Sequence, residues 1–215
     1  MKLTKDFLEK KEINPVSAYE FSRSVFLEKQ VKDLVQFNVN GEAKPTLIEH
    51  LKKDNSFQKI PLLGQISTLE IATYMEPILL RDTDQMSLAH ALEVRVPFLD
   101  HELVELIIGI EDSVKYPNYA KQLLVESLGN RLPHEIVHRP KMGFVLPFEY
   151  WMKHELKPFC ERMLNQLADL SYFNGGYIHS LWTRFLAGDK RILWTRMWGL
   201  IVLAFWLETN QIKCD

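Results

Sequence analysis

Two short segments of the chain carry residue types that can do chemistry on a small polar substrate. The first runs Leu80-Arg81-Asp82-Thr83-Asp84-Gln85-Met86-Ser87 and leads into Leu92-Glu93-Val94-Arg95-Val96-Pro97-Phe98-Leu99-Asp100. It sets Arg81, Asp82, Asp84, Glu93, Arg95 and Asp100 among residues otherwise suited to burial. Charge is rarely buried without a partner, so the segment implies internal ion pairs or a polar ligand. On the residues alone, ion pairing is the simpler reading, because structural charge networks draw on the same residue types as catalytic ones. The second segment is Arg139-Pro140-Lys141-Met142-Gly143-Phe144. Proline beside lysine, followed by glycine, describes a rigid turn that carries a cation and leaves open backbone on its far side. A compact point charge and a place of close approach suit a phosphate, although a solvated basic loop has the same composition.

Helices must position both segments. Asn14-Pro15 is a helix start, and Val16, Tyr19, Val25, Phe26, Leu34 and Phe37 then recur at near-helical spacing until Asn40-Gly41 breaks the pattern. Residues 46–53 predict a shorter helix, and 67–75 another that Pro77 stops by disfavouring an α conformation at Glu76. A short helix is expected over 84–92, and Asp100 can cap one carrying Leu103, Val104, Leu106 and Ile107, with Gly109 near its end. Further on, 119–128 closes on Gly129, a turn of helix follows Pro133, and Pro158 kinks or divides 148–167. Residues 177–186 end at Gly188, and 192–209 form the last and most apolar helix. Strand alternation is almost absent. The chain reads as one mainly α-helical domain over 1–215, with 1–66 a loosely packed helical extension.

Composition excludes several classes. With 26 basic and 28 acidic residues and a formal charge of −2, there is no basic footprint for nucleic acid. Cys160 and Cys214 have no Cys-x-x-Cys or Cys/His company, so neither a zinc site nor a disulfide framework is expected, and two reduced thiols fit a cytoplasmic protein. The run Met197 to Leu207 is too short to cross a bilayer and reads as a buried core helix, enclosed on all sides. No phosphate loop, nucleophile elbow, zinc-protease pair or dinucleotide fingerprint is present, and His101-Glu102 meets Glu105 where a second histidine would be needed. His90 is expected as a hydrogen-bonded core residue, His134 and His138 as a surface pair, and Trp182, Trp194, Trp198 and Trp206 at core positions.

Read together, the two unusual segments resemble the asparagine synthetase family. Arg81 to Glu105, RDTDQMSLAHALEVRVPFLDHELVE, is similar to the family's short helix and Glu-x-Arg-x-Pro-Phe-Leu-Asp turn. Ala120-Lys121-Gln122-Leu123-Leu124, Leu132-Pro133-His134-Glu135-Ile136, the Arg139–Phe144 motif, and Pro147-Phe148 through Trp151 follow in the family's order. The clear match covers Tyr74 to about Trp151. The resemblance implies the helical C-terminal portion of an adenine-nucleotide α-hydrolase-like synthetase domain, without its parallel sheet. It implies a family chemistry in which Mg-ATP activates aspartate as an acyl-adenylate, which ammonia from glutamine converts to asparagine.

By that resemblance Lys141 lies over the nucleotide phosphates, and Asp84 near the activated acyl group, where a carboxylate can hold or deprotonate the incoming amine. Glu93, Arg95 and Asp100 look like scaffold beside the site, and Arg139 and Gly143 shape the lysine turn; no metal ligand is assigned. The family's nucleophilic cysteine would follow the initiator Met, where Lys2 stands, and neither its Ser-Gly-Gly-x-Asp-Ser loop nor its Gly-Glu-x-Ser-Asp-Glu segment occurs. The chain is therefore expected to be inactive alone and to bind neither ATP nor Mg tightly. Its expected partners are the N-terminal synthetase portion and the glutaminase domain, as one product of a split gene or as a piece of a longer chain, with self-association allowed and nucleic acid and membrane excluded. Two alternatives are a non-catalytic helical module that binds a related synthetase or a nucleotide, and a relative that closes β-lactam rings or amidates another carboxylate.

Overall fold

A computed structural model describes residues 14–36, 46–116, 118–119, 121–140, 142–143 and 146–212. Among these residues the structure is helical, and the one β feature is an antiparallel bridge between Val35 and Phe173. In chain order the helices are α1 (Pro15–Arg23), α2 (Glu28–Leu34), α3 (Leu47–Lys53), α4 (Asn55–Lys59) and α5 (Leu62–Glu70). A π-helix (Ile71–Leu80) runs directly into α6 (Arg81–Leu88), and a 3₁₀ turn (Pro97–Leu99) precedes α7 (His101–Gly109) and α8 (Asp112–Lys115). Then come α9 (Gln122–Ser127), a second 3₁₀ turn (Gly129–Arg131), α10 (His134–Val137), α11 (Phe148–Lys153), α12 (Lys157–Ala168), α13 (Gly175–Leu186) and α14 (Trp194–Thr209). The chain divides into two units, one of Met1–Ser22 with Ala43–Lys141, the other of Arg23–Glu42 with Met142–Asp215.

In the first unit α1 begins where the sequence predicts, with Asn14 Oδ1 accepting from the Ser17 amide at 2.8 Å. Val16, Tyr19, Phe57 and Leu69 are its buried apolar cluster, flanked by Ile48, Leu51 and Ile60. Tyr19 Oη meets Thr73 Oγ1 at 2.7 Å, and Thr73 donates back to the Leu69 carbonyl at 2.8 Å in sites where α1 packs on the π-helix. Gly64 is required for the approach of α5 to α7, because a Cβ there would stand 2.8 Å from the Ile108 carbonyl oxygen. The Asp112 carboxylate accepts from the Leu63 amide at 3.1 Å, which satisfies one free donor at the start of α5.

Two helix boundaries in this region differ from the sequence reading. Pro77 does not stop a helix at Met75; it lies inside the π-helix, which carries on into α6. The wider π turn gives the proline ring space that the α register denies it. The helix expected from Pro15 towards Phe37 is broken into α1 and α2, which belong to different units. At the break, within the second unit, Arg196 Nε donates to the Val25 carbonyl at 2.8 Å and its guanidinium lies over the Phe26 ring at 5.9 Å. Tertiary partners here outweigh helical periodicity. Phe37, Asn40 and Gly41 lie outside the described residues.

The second unit packs α12 against α13 and α14 around Cys160, Met163, Leu164, Leu167, Ile178, Phe185, Met197 and Ile201, each no more than 1% exposed. Leu34 of α2 joins this core, tied by the Asn174 amide to the Leu34 carbonyl and the Gln36 amide to the Tyr172 carbonyl, both at 2.8 Å. Pro158 divides 148–167 as expected: α11 ends at Lys153, and the proline occupies the first turn of α12, where its missing N–H costs nothing. Gly188, at φ +77°, closes α13, and the Asp189 carboxylate beside it accepts from Arg191 and Arg184 at 2.8 to 3.0 Å. Arg191's hydrogen bonds, then Arg184's, hold that carboxyl well below the usual carboxylate range. Cys160 is a free, buried thiol, which burial pushes up to about 11; Cys214 lies outside the described residues.

The last helix is not enclosed on all sides. Met197, Leu200, Ile201 and Ala204 form its buried face, whereas Val202, Phe205 and Trp206 are 46%, 48% and 52% exposed. Only one stripe of α14 meets α12 and α13, so Trp206 is not a core residue, while Trp182 is. No helix among the described residues is long and apolar enough to cross a membrane.

Candidate functional site

Asp84 lies in the first turn of α6 and is exposed. Among the described residues its carboxylate has no hydrogen-bond or ion-pair partner; only its backbone carbonyl is used, accepting from Ser87 Oγ at 3.2 Å. Because the π-helix feeds α6 without a break, the amides of that turn are already spent and do not bind the carboxylate. The helix stops at Leu88, and a turn with Ala91 at φ +56° sends the chain into an extended stretch over 92–96. His90 sits in this turn and is exposed, which corrects its reading as a core residue: the helix face that would have buried it has already ended.

Glu93 and Arg95 stand in the extended stretch and pair with each other, Arg95 Nε to Glu93 Oε1 at 2.8 Å. Their side chains are 70% and 84% exposed, so the pair is a surface one, worth at most about 1 kcal/mol. Arg81 and Asp82 make a second, longer surface pair at 3.4 Å. Arg81, Asp82, Glu93 and Arg95 are thus paired, but at the surface and not internally. The apolar residues between them are uncovered too, with Met86 71%, Leu92 61% and Phe98 67% exposed. Asp100 caps α7, its Oδ1 accepting from the amides of Glu102 at 3.1 Å and Leu103 at 3.3 Å. No hydrogen bond or ion pair among the described residues joins Asp84 to Glu93, Arg95 or Asp100.

Before the basic motif, at α10, the rings of His134 and His138 lie 4.2 Å apart, tilted by 49°, and Tyr119 lies 5.9 Å from His138, a surface pair as their spacing predicts. Arg139 follows and is exposed in the first unit; Gly143 is exposed in the second. Lys141 lies outside the described residues. On the far side of the turn Phe148 opens α11, stacked on Trp194 at 5.2 Å and 5°, and against Trp198 at 5.1 Å. The sequence reading placed these tryptophans in the core without linking them to the turn; the adjacency of Phe148 to the motif was the available signal. Among the described residues no three metal-ligating side chains come together.

The sequence of residues 4–208 matches the family model for asparagine synthase. The chain is 25% identical over 197 residues to asparagine synthetase [glutamine-hydrolyzing] 1 of Bacillus subtilis (strain 168), a match covering 91% of this chain and 30% of that protein. It is 36% identical over 107 residues to the same organism's asparagine synthetase [glutamine-hydrolyzing] 3, covering 49% of this chain and 17% of the relative. To the asparagine synthetase [glutamine-hydrolyzing] of Mesocricetus auratus it is 40% identical over 65 residues, 28% of this chain and 12% of that protein. The chain therefore spans a third or less of the length of these relatives. No solved structure matches it.

Proposed function

The chain belongs to the asparagine synthase family, and from that premise we propose that it supplies one wall of an ATP-dependent amide-forming site, the nucleotide-binding portion coming from elsewhere. The observation that carries this reading is the exposure of the motif segment itself. Asp84 offers a carboxylate that has no partner among the described residues, and the stretch beyond it presents Met86, Leu88, Leu92, Val94 and Phe98 to solvent. So many large apolar side chains left in water along one segment support a place where another protein surface belongs. On this reading the covering surface carries ATP.

In the reaction we propose, Mg-ATP supplies the phosphoanhydride, and the aspartate carboxylate displaces pyrophosphate to give the acyl-adenylate; ammonia then adds to the acyl carbon and the C–O bond to the phosphate breaks, leaving the amide and AMP. Lys141 provides a fixed positive charge for the α-phosphate and departing pyrophosphate, where negative charge builds. Asp84, exposed in the first turn of α6, holds the incoming ammonia or takes its proton as the C–N bond forms. Glu93, Arg95 and Asp100 shape the surface around that carboxylate, and Arg139 and Gly143 shape the lysine turn. A cytoplasmic setting, with glutamine as the source of ammonia, goes with the same reading.

The test is complementation. Mixed with the N-terminal portion of a relative, the chain is expected to restore aspartate-dependent ATP–pyrophosphate exchange, and Lys141→Ala to lower it by about 100-fold. Unchanged exchange after Lys141→Ala removes the lysine from the mechanism. A stable complex in which neither Lys141→Ala nor Asp84→Asn alters turnover identifies a non-catalytic helical module instead.

A further inference from the structure

We propose that the outward face of α14 pairs with the same face of a second copy of this chain, the two helices running antiparallel about a two-fold axis at Val202. α14 has two apolar faces. Met197, Leu200, Ile201 and Ala204 fill the core of the second unit, while Thr195, Gly199, Val202, Phe205, Trp206 and Thr209 are exposed and Trp198 is partly so. These outward residues recur three and four apart, which is the seam of a helix that meets another helix. Neither charge of the helix lies among them: Arg196 is buried, and Glu208 is turned towards α12, where Arg162 Nη1 donates to it at 2.9 Å. A face without charge is covered by a like face without stripping water from an ion.

Gly199 has no explanation inside the second unit. It sits within a 16-residue helix, where glycine is less stable than alanine, and a Cβ there would meet nothing within 4 Å. Close approach by another molecule accounts for it, and the residue order points to a second copy. Counted from Val202, threonine stands seven residues away on each side, tryptophan four away on each side, and Gly199 and Phe205 three away. An antiparallel pair centred on Val202 sets residues equally far from the centre, on opposite sides, at one level. The helical twist places Gly199 and Trp206 on one flank of the seam, and Trp198 and Phe205 on the other. Each Trp206 therefore lies over Gly199 of the other copy, and each Phe205 beside Trp198 of the other copy, a ring against open backbone and a ring against a ring. The antiparallel direction also sets each helix C-terminus beside the other's N-terminus, where their partial charges attract. Two half-exposed rings bring roughly 200 Å² per copy, so the stripe stays below the roughly 1,200 Å² of a stable interface and the dimer is weak and concentration-dependent.

Sedimentation velocity of the chain from about 5 to about 500 μM tests the pairing, and a reversible monomer–dimer equilibrium is expected. Trp206→Glu should weaken it about tenfold or more by placing a charge in the seam. Gly199→Leu should weaken it as much while raising the thermal midpoint, because leucine fills the space needed by the other copy's ring and is the better helix former. That opposite movement separates a lost interface from a lost fold. Phe98→Ser, in the first unit, should leave the equilibrium unchanged. Cross-linking reads the register: in a Cys214→Ser background, diamide should join two Val202→Cys chains through a disulfide. It should not join two Thr209→Cys chains, whose cysteines would stand about 20 Å apart along the seam. A chain that stays monomeric throughout overturns the pairing, as does a dimer lost with Phe98→Ser and kept with Trp206→Glu, or cross-linking at position 209 and not at 202. Loss of binding to the N-terminal portion of a relative on Trp206→Glu overturns it too, since that partner then covers α14.

Discussion

Phe185 and Phe98 are the same residue in two different settings. Phe185, in α13 of the second unit, is 1% exposed; Phe98, in the first unit's motif segment, is 67% exposed. The second unit gathers many of its large apolar side chains into one core, from Leu34 through Cys160, Leu164 and Ile178 to Ile201, although Val202, Phe205 and Trp206 stay half in water. Among the described residues of the first unit only Val16, Tyr19, Phe57 and Leu69 form such a cluster, while Met86, Leu88, Leu92, Val94, Phe98 and Leu106 face solvent. Apolar area left in water contributes nothing to folding and stands ready for association. Among the described residues, the second unit therefore closes the larger core, and the first leaves more of its apolar side chains in water.

The contrast can be broken in three places. The largest effect is expected from Phe185→Ala, which empties a fully packed site in the second unit and should cost about 3–5 kcal/mol in urea denaturation; a cost below about 1 kcal/mol would mean that the core is not close-packed. A smaller effect, confined by pH, is expected from Asp189→Asn. The native carboxyl is held below its ordinary range by Arg191 and Arg184, so its stabilisation is complete above about pH 4 and fades as pH falls towards the lowered value. Native and variant chains should thus differ in thermal midpoint at pH 7 and converge at strongly acid pH, and a constant gap down to pH 2 would contradict the assignment. The smallest change in stability is expected from Phe98→Ser, within about 0.5 kcal/mol because the ring is already in water. The same substitution should weaken binding to the N-terminal portion by tenfold or more, about 1.4 kcal/mol. A large stability loss with unchanged binding would reverse the roles assigned to the two units.

What was legible in the sequence was local. The Asn14 and Asp100 caps, the stop at Gly188 and the division before Pro158 each follow from a side chain acting on its neighbouring backbone, and the structure has all four. The π-helix around Pro77 was not legible, because a proline announces a lost donor without saying whether the helix breaks or widens. The break at Val25 and Phe26 depends on Arg196, which is remote in sequence, and periodicity cannot register it. Around the candidate site the residue types promised charge pairing, and Arg95 does pair with Glu93. Their exposure was not legible: an apolar pattern tells that a face wants cover, not whether the same chain provides it. For the same reason α14 read as wholly buried although Trp206 is half in water.

Arg196 also has a meaning in time. The carbonyl it takes belongs to Val25, and the core that Leu34 joins is closed by the last helix. As the chain leaves the ribosome, α2 emerges early and must wait, its partners unmade, until α12, α13 and α14 have followed. Any chain that stops before Arg196 strands this segment, so the second unit is completed only once α14 has been made.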